Sequence, residues 1–277
     1  MKDSWAARSS EKELMDDPAA DEGLLLATVE QFGAINRLLS RSRTLISRYI
    51  LDDAERRALA EYTVVDIGAG ACDIGEWMVE AARRRGQRPR VICLDADPRI
   101  AAYARRRVAG NDGLEVVEAA AEDLSRLGPV DYIFANHFLH HLDDDEIVRL
   151  LPAVSSAARN GFVINDLKRS RLSHLGFTLL AAVFFRKSFA LRDGQLSIRR
   201  GFLRDELESL IRRAGLGPET GGAAAGAQVP AGTETAGVAG STREVAVRSL
   251  FPGRLAIVGT EAPGRRRPRG REHSCSC

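Results

Sequence analysis

The chain has 277 residues, of which 44% are hydrophobic and 28% charged, so it can bury a core, and a wholly disordered or fibrous protein is excluded. Its 40 basic and 38 acidic residues nearly cancel, which excludes the broad basic field of a nucleic-acid binder. The small positive excess sits in residues 261–277, with five Arg against two Glu, and leaves the body slightly acidic.

Residues 1–20 are polar, lack a signal-peptide core, and read as a disordered lead. From Leu24 the apolar positions Leu25, Val29, Phe32, Ile35, Leu38 and Leu39 recur at helical spacing, and Leu45–Leu51 and Asp52–Ala60 extend a helical segment over 21–60. The period then changes. Tyr62–Asp66 is a buried-strand run followed by the glycine turn Gly68-Ala-Gly70-Ala-Cys72 and a helix from Ile74 to Arg85. Arg90–Asp95, Leu114–Ala119, Val130–Asn136 and Gly161–Asn165 repeat the strand signal. Between them lie a helix opened by Pro98 and another over Asp143–Arg159, with acids in its first turn. Arg171–Leu191 reads as helical and unusually apolar, within a helical cap insertion over 167–200, and holds four of the ten phenylalanines. An amphipathic helix over Phe202–Ala214 and a Gly/Ala-rich loop over 218–241 follow. Glu244–Leu250 and Arg254–Thr260 make a hairpin that completes a main domain over 61–260, and 261–277 is a disordered Arg-rich tail. Strands alternating with helices predict an α/β, Rossmann-like, doubly wound and mainly parallel seven-stranded sheet with a C-terminal β-hairpin. The longest apolar stretch, within Leu175–Phe185, is too short for a membrane span, so no stable membrane insertion and a cytoplasmic protein are expected.

The informative segment is Val64-Val-Asp66-Ile-Gly68-Ala-Gly70-Ala-Cys72-Asp73. A glycine turn after the first strand of such a sheet lets a nucleotide-like ligand approach the backbone. The dinucleotide pattern G-x-G-x-x-G fails, because its third glycine falls at Asp73. Asp66, two residues before Gly68, repels a pyrophosphate and suits a cationic ligand, while Asp95 at the end of strand two can accept from a ribose diol. With these residues the chain resembles the class I S-adenosylmethionine-dependent methyltransferases. VVDIGAGACDIG is similar to their first motif and VICLDADP to their second. VDYIFANHFLHHL is similar to the motif after strand four in the small-molecule branch that includes ubiquinone and menaquinone methylases. GFVINDLKRSRLSHL, ELMDDP and INRLL resemble a bacterial group of phenolic-lipid and polyketide biosynthesis, in secondary metabolism.

The resemblance implies S-adenosyl-L-methionine as cofactor. Asp66 would orient its amino group, Gly68 and Gly70 line the methionine, Asp95 bind the ribose, Ala121, Glu122 and Asp123 border the adenine, and Asn136 face the carboxylate. Two positions depart from the family: Cys72 replaces its third glycine, and Ala120 its adenine-binding Asp, whose place falls to Glu122, Asp123 or a backbone carbonyl. Three of the five histidines fall just beyond strand four. A neutral histidine can assist deprotonation of a phenol, so His140, ahead of His137, reads as a general base, with packing or helix capping as the alternative. His141, Asn165, Asp166 and Phe177 read as substrate contacts. No metal centre is expected, because Asn136 stands where metal-assisted catechol methylation needs an Asp. The expected activity is methyl transfer to a small, hydrophobic, phenolic or polyketide-like molecule, at oxygen in preference to carbon. C-methylation of a quinol-type ring or a cyclase-like non-methylating activity are the alternatives. The expected partner is a small-molecule substrate and not a nucleic acid, since the N-P-P-Y type tetrad is absent after strand four. The Phe-rich cap reads as a substrate cover, a core element or a homodimer face.

Overall fold

The computed structural model describes residues 5–185, 187–217 and 243–261. The expected loop over 218–241 and all but the first residue of the Arg-rich tail lie outside them.

Among the described residues seven strands form one sheet, β1 (Glu61–Ile67), β2 (Arg88–Asp95), β3 (Leu114–Glu118), β4 (Val130–Asn136), β5 (Ala158–Leu167), β6 (Arg243–Leu250) and β7 (Arg254–Glu261). Their order is β3-β2-β1-β4-β5-β7-β6. The first five pair in parallel, and β7 runs antiparallel to both β5 and β6. The central strands are buried on both faces. Val65, Ile67, Ile133 and Ile164 pack toward one apolar layer, and Val64, Tyr132, Phe134 and Val163 toward the other. The strand order reverses between β1 and β4, and this switch point opens a crevice at the carboxyl edge of the sheet, where ligands of doubly wound folds bind.

The N-terminal helices are α1 (Glu22–Leu39), α2 (Ser42–Ile46) and α3 (Asp52–Arg56), with a π-helical turn over Ser47–Leu51 joining the last two. Helices α4 (Asp73–Arg83), α5 (Pro98–Arg107) and α6 (Asp144–Ala157) cover the sheet. Asp97 caps α5 ahead of Pro98, and Asp143 and Glu146 form a reciprocal capping box on α6. The cap is helical, as two helices: α7 (Arg171–Phe184) and α8 (Ala190–Arg200). The chain breaks after Phe184. Ser188 Oγ bonds Gln31, and Phe189 N–H bonds Thr28 on α1, so tertiary hydrogen bonds replace helix continuation. The next helix, α9 (Arg204–Arg213), starts after Phe202, whose side chain is fully buried in the core and whose backbone bridges Lys168.

The lead also departs from expectation. Residues 5–20 are ordered and packed against α8 and the end of the sheet. The Asp193 carboxylate accepts from the N–H groups of Leu14 and Met15, both at 2.9 Å. Arg200 donates to Glu11 O, and Arg8 donates to Arg200 O and Leu142 O. Arg169 donates to Trp5 O. Side chains remote in sequence satisfy the strap's backbone, so it needs no apolar periodicity to order.

At the β5–β7 pair, Phe162 lies opposite Gly259, and a Cβ on Gly259 would sit 2.2 Å from the Phe162 ring. Gly259→Ala is expected to destabilise the fold by about 1–3 kcal/mol through overpacking. Urea unfolding checks this, and an unchanged midpoint would show that the ring moves freely aside.

Candidate active site

The glycine turn after β1 is built by backbone conformation. Gly68 and Gly70 have φ of 66° and 56°, and a Cβ on Gly68 would lie 2.9 Å from the Phe138 ring. Cys72, standing for a third glycine, also adopts a left-handed conformation with φ of 60°, so the turn keeps its shape with a buried side chain at its end. Asp95 at the end of β2 accepts from Gly70 N–H at 2.9 Å and Asp97 N–H at 3.1 Å. This holds the turn against strand two.

A cavity of about 890 Å³ opens above this edge. One part is lined by Asp66, Gly68, Gly70, Asp73 and Asp95, with Phe138 against Gly68, and another by Glu13, His137, His140, His141 and Phe177. Helix α1 contributes Val29, Phe32 and Asn36 between them. Burial raises the Asp66 carboxyl well above its usual range, with the charges of Asp73 and Asp95 adding to the shift. Burial likewise raises Asp73 and Asp95. Asp66 is 2% exposed, and its Oδ2 has no hydrogen-bond partner. Three crowded carboxyls with an orphaned oxygen fit a cationic ligand that also offers N–H donors.

Asn136 Oδ1 accepts from Asn165 Nδ2 at 2.7 Å, and Asn136 Nδ2 donates to Asn36 on α1 at 3.1 Å. Asn165 also donates to Ser40 O, so it locks α1 to the sheet from beneath and does not line the cavity. This corrects its expected substrate contact. Asp166 differs from expectation in the same way. It is 1% exposed and accepts from His140 N–H at 3.1 Å, His140 Nδ1 at 2.7 Å and Leu167 N–H at 2.6 Å. Burial would raise its carboxyl, but the His140 ring and its hydrogen bond hold it well below the carboxylate range. Ala121, Glu122 and Asp123 also miss the cavity lining. They form a 3-10 turn, Ala121–Leu127, in which Ala121 packs inward, Glu122 is exposed and Asp123 pairs with Arg126.

The three histidines have different partners. His137, with φ of 58°, presents Nε2 to the Arg254 guanidinium, which donates to it. Burial and the Arg254 charge push His137 well below its ordinary value, and burial lowers Arg254 to about 10. That nitrogen is occupied, which removes the expected secondary role of His137 as a base through it. His140 is 1% exposed. Asp166 accepts from Nδ1, and Nε2 lies 3.6 Å from Glu13 Oε1, beyond a hydrogen bond. Glu13 is 2% exposed, accepts from Ser197 Oγ at 2.9 Å through Oε1, and keeps Oε2 unpartnered. His141 Nδ1 lies 3.1 Å from Asp16. Burial alone would depress His141, but its bond to Asp16 and the charge of Glu13 raise it to about 9.

Glu13, His140 and His141 bring one ligand atom each within 4.8 Å of one another, the spacing of a metal-ligand set. With His141 held as a cation between Asp16 and Glu13, the cluster works as an ion-pair network. Glu13, Asn36, Asp73 and Arg254 are cavity residues that sequence reasoning assigned no role. ELMDDP and INRLL, which contain Glu13 and Asn36, carried the only signal.

Residues 64–161, from the middle of β1 into β5, match the family model described as "Methyltransferase domain". Human N-acetylserotonin methyltransferase, solved with S-adenosylmethionine, is similar at 13% identity and a TM-score of 0.56, over 87% of this chain and 56% of that one. This chain therefore spans little more than half of the human enzyme. The plantazolicin methyltransferase BpumL, solved with S-adenosylhomocysteine, gives 12% identity and a TM-score of 0.59, over 90% and 93%. An O-methyltransferase family protein from Burkholderia thailandensis gives 16% and 0.51, over 86% and 60%. At these identities the likeness is one of fold. A search of curated proteins found no match.

His141 has a pKa raised from 6.5 to about 9 in the folded chain, so its ion pairing stabilises the fold fully below about pH 6.5 and is lost as pH rises through about 9. His141→Asn is expected to flatten the fall in stability between pH 6.5 and 9, measured by urea unfolding across pH. A parallel fall in the variant would overturn this assignment.

Proposed function

We propose, from the match of residues 64–161 to a methyltransferase-domain model and from the site's geometry, that the chain transfers a methyl group from S-adenosylmethionine to a hydroxyl of a small hydrophobic acceptor of phenolic or polyketide-like character. Bound at the glycine turn, the donor supplies an activated methyl group on a cationic sulfur. Asp95, already fixed by Gly70 and Asp97, keeps lone pairs for the ribose hydroxyls. Asp66 offers its orphaned oxygen to the amino group, and Gly68 and Gly70 admit the methionine against the backbone. Asn136, held by Asn36 and Asn165, stands beside the carboxylate. The three carboxyls at this end attract the sulfonium and release it more readily once methyl transfer leaves the sulfur neutral.

The observation that carries the reading is the His140–Asp166 pair at the far end of the same cavity. Asp166 fixes the His140 ring and tautomer and stabilises the imidazolium that forms. His140 Nε2 takes the proton of the acceptor hydroxyl. A base held this way serves oxygen methylation, since an oxygen nucleophile must lose its proton during transfer. Phe177, Phe138 and Phe32 furnish the apolar walls that orient a flat or aliphatic acceptor. His137 shapes the cavity through Arg254 and takes no proton through Nε2. The similar structures, N-acetylserotonin, plantazolicin and O-methyltransferases, support a small-molecule acceptor, and the plantazolicin enzyme supports a place in secondary metabolism.

Two measurements test these roles. Asp95→Ala is expected to weaken S-adenosylmethionine binding roughly 10- to 100-fold by calorimetry, and unchanged binding would remove the ribose assignment. His140→Ala is expected to lower kcat by about 10²- to 10⁴-fold on a phenol that gains one methyl by mass, with donor affinity retained. Near-full turnover in that variant across pH would leave proximity alone as the driving factor.

A further inference from the structure

Helix α7 turns two polar side chains toward the protein. Thr178 accepts from Gln195 on α8 at 2.9 Å, and His174 meets the Trp5 ring edge-on. Phe177 and Ala181 also face inward, but five apolar side chains face water. Leu172 is 79% exposed, Leu175 56%, Leu179 64%, Val183 64% and Phe184 69%. The spacing of the first four, at intervals of three and four, makes one continuous stripe along the helix. Phe251, 86% exposed, stands at the tip of the β6–β7 hairpin, whose Gly253 packs against Ser173 of α7. Among the described residues only Leu203 lies outside this patch as an exposed large hydrophobic side chain. Leu172 and Phe251 also line the cavity, so the patch surrounds its mouth.

The charge around the patch has one sign. From Leu167 to Arg192 the sequence holds six basic residues and no acid. Among these, Lys168, Arg171, Lys187 and Arg192 are exposed. We propose that the α7 face and the hairpin tip dock on an anionic lipid bilayer surface, with the cavity mouth opening into the acyl region so that a lipophilic acceptor enters without crossing water. This rests on the methyl-transfer reading only for the nature of what enters; the docking itself does not depend on it. A second copy fits the face less well. A two-fold contact would set the basic flank against its own copy and would close the mouth. An anionic surface meets both the leucine stripe and the basic flank. The docking is interfacial, since no helix among the described residues is long and apolar enough to cross a membrane.

The test is co-sedimentation of the full chain with vesicles of phosphatidylcholine alone or mixed with phosphatidylglycerol. Leu175 and Leu179 lie on the stripe but outside the cavity lining, so Leu175→Glu and Leu179→Glu leave the site intact. The wild-type chain is expected to pellet with the anionic vesicles and less with the neutral ones. Each glutamate variant is expected to lose vesicle affinity roughly tenfold or more, with thermal unfolding and S-adenosylmethionine binding unchanged. Lys168→Glu with Lys187→Glu is expected to remove the preference for anionic lipid. All protein remaining in the supernatant, or glutamate variants that bind as well as wild type, would overturn the proposal. A dimer by sedimentation velocity that Leu175→Glu dissociates, without vesicle binding, would overturn it in favour of a second copy. Loss of methyl transfer with vesicle binding intact would count against the catalytic reading and leave the docking standing.

Discussion

The Asp166 carboxylate is the constraint on which the acceptor end of the molecule depends. It sits near the end of β5, almost fully buried, and accepts three hydrogen bonds, two of them from the backbone and ring of His140. A buried charge of this kind is tolerated only when its lone pairs are filled. Removing either partner therefore leaves more than a lost contact. The loop after β4, the ring orientation of His140 and the seat of Arg200 on the carbonyls of His140 and His141 all follow from it. Asn165, one residue earlier on the same strand, does the equivalent work for α1 through Asn136 and Ser40. Two adjacent polar residues on one strand thus position opposite walls of the cavity.

Electrostatics divides the cavity into two functional ends. Asp66, Asp73 and Asp95 crowd carboxyls whose ionisation burial opposes, a cost that a cationic ligand relieves. At the other end Asp16 pairs with His141. Desolvation opposes ionisation at both ends, and the difference lies in the partners. His141 has a carboxylate within 3.1 Å, whereas Asp66 has an unpartnered oxygen.

The strand runs and the glycine turn were legible in the sequence because buried parallel strands are continuous apolar segments and a left-handed turn draws glycine. The cap was harder to read. Phe184, Phe185 and Phe189 continue an apolar run, and nothing local marks the break that Ser188 and Phe189 make by bonding α1. The substrate role expected of Asn165 and Asp166 failed for a different physical reason. Adjacent residues on a strand point to opposite faces, yet both side chains here are consumed by neighbours from other elements. Glu122 and Asp123 carry the right chemistry, but their 3-10 turn directs them to solvent and to Arg126. The order of residues 5–20 could not be inferred from local composition, because its causes, Asp193, Arg200 and Arg169, lie far along the chain.

That separation has a consequence for how the protein is made. Leu14 is 179 residues from the carboxylate that anchors it, and Arg8 is 192 residues from the carbonyl of Arg200. During synthesis the strap leaves the ribosome long before α8 exists to receive it. Such distant pairings are slow to form, because loop closure must precede any reward. Glu13 therefore reaches its place at the acceptor end only once α8 is present to receive the strap.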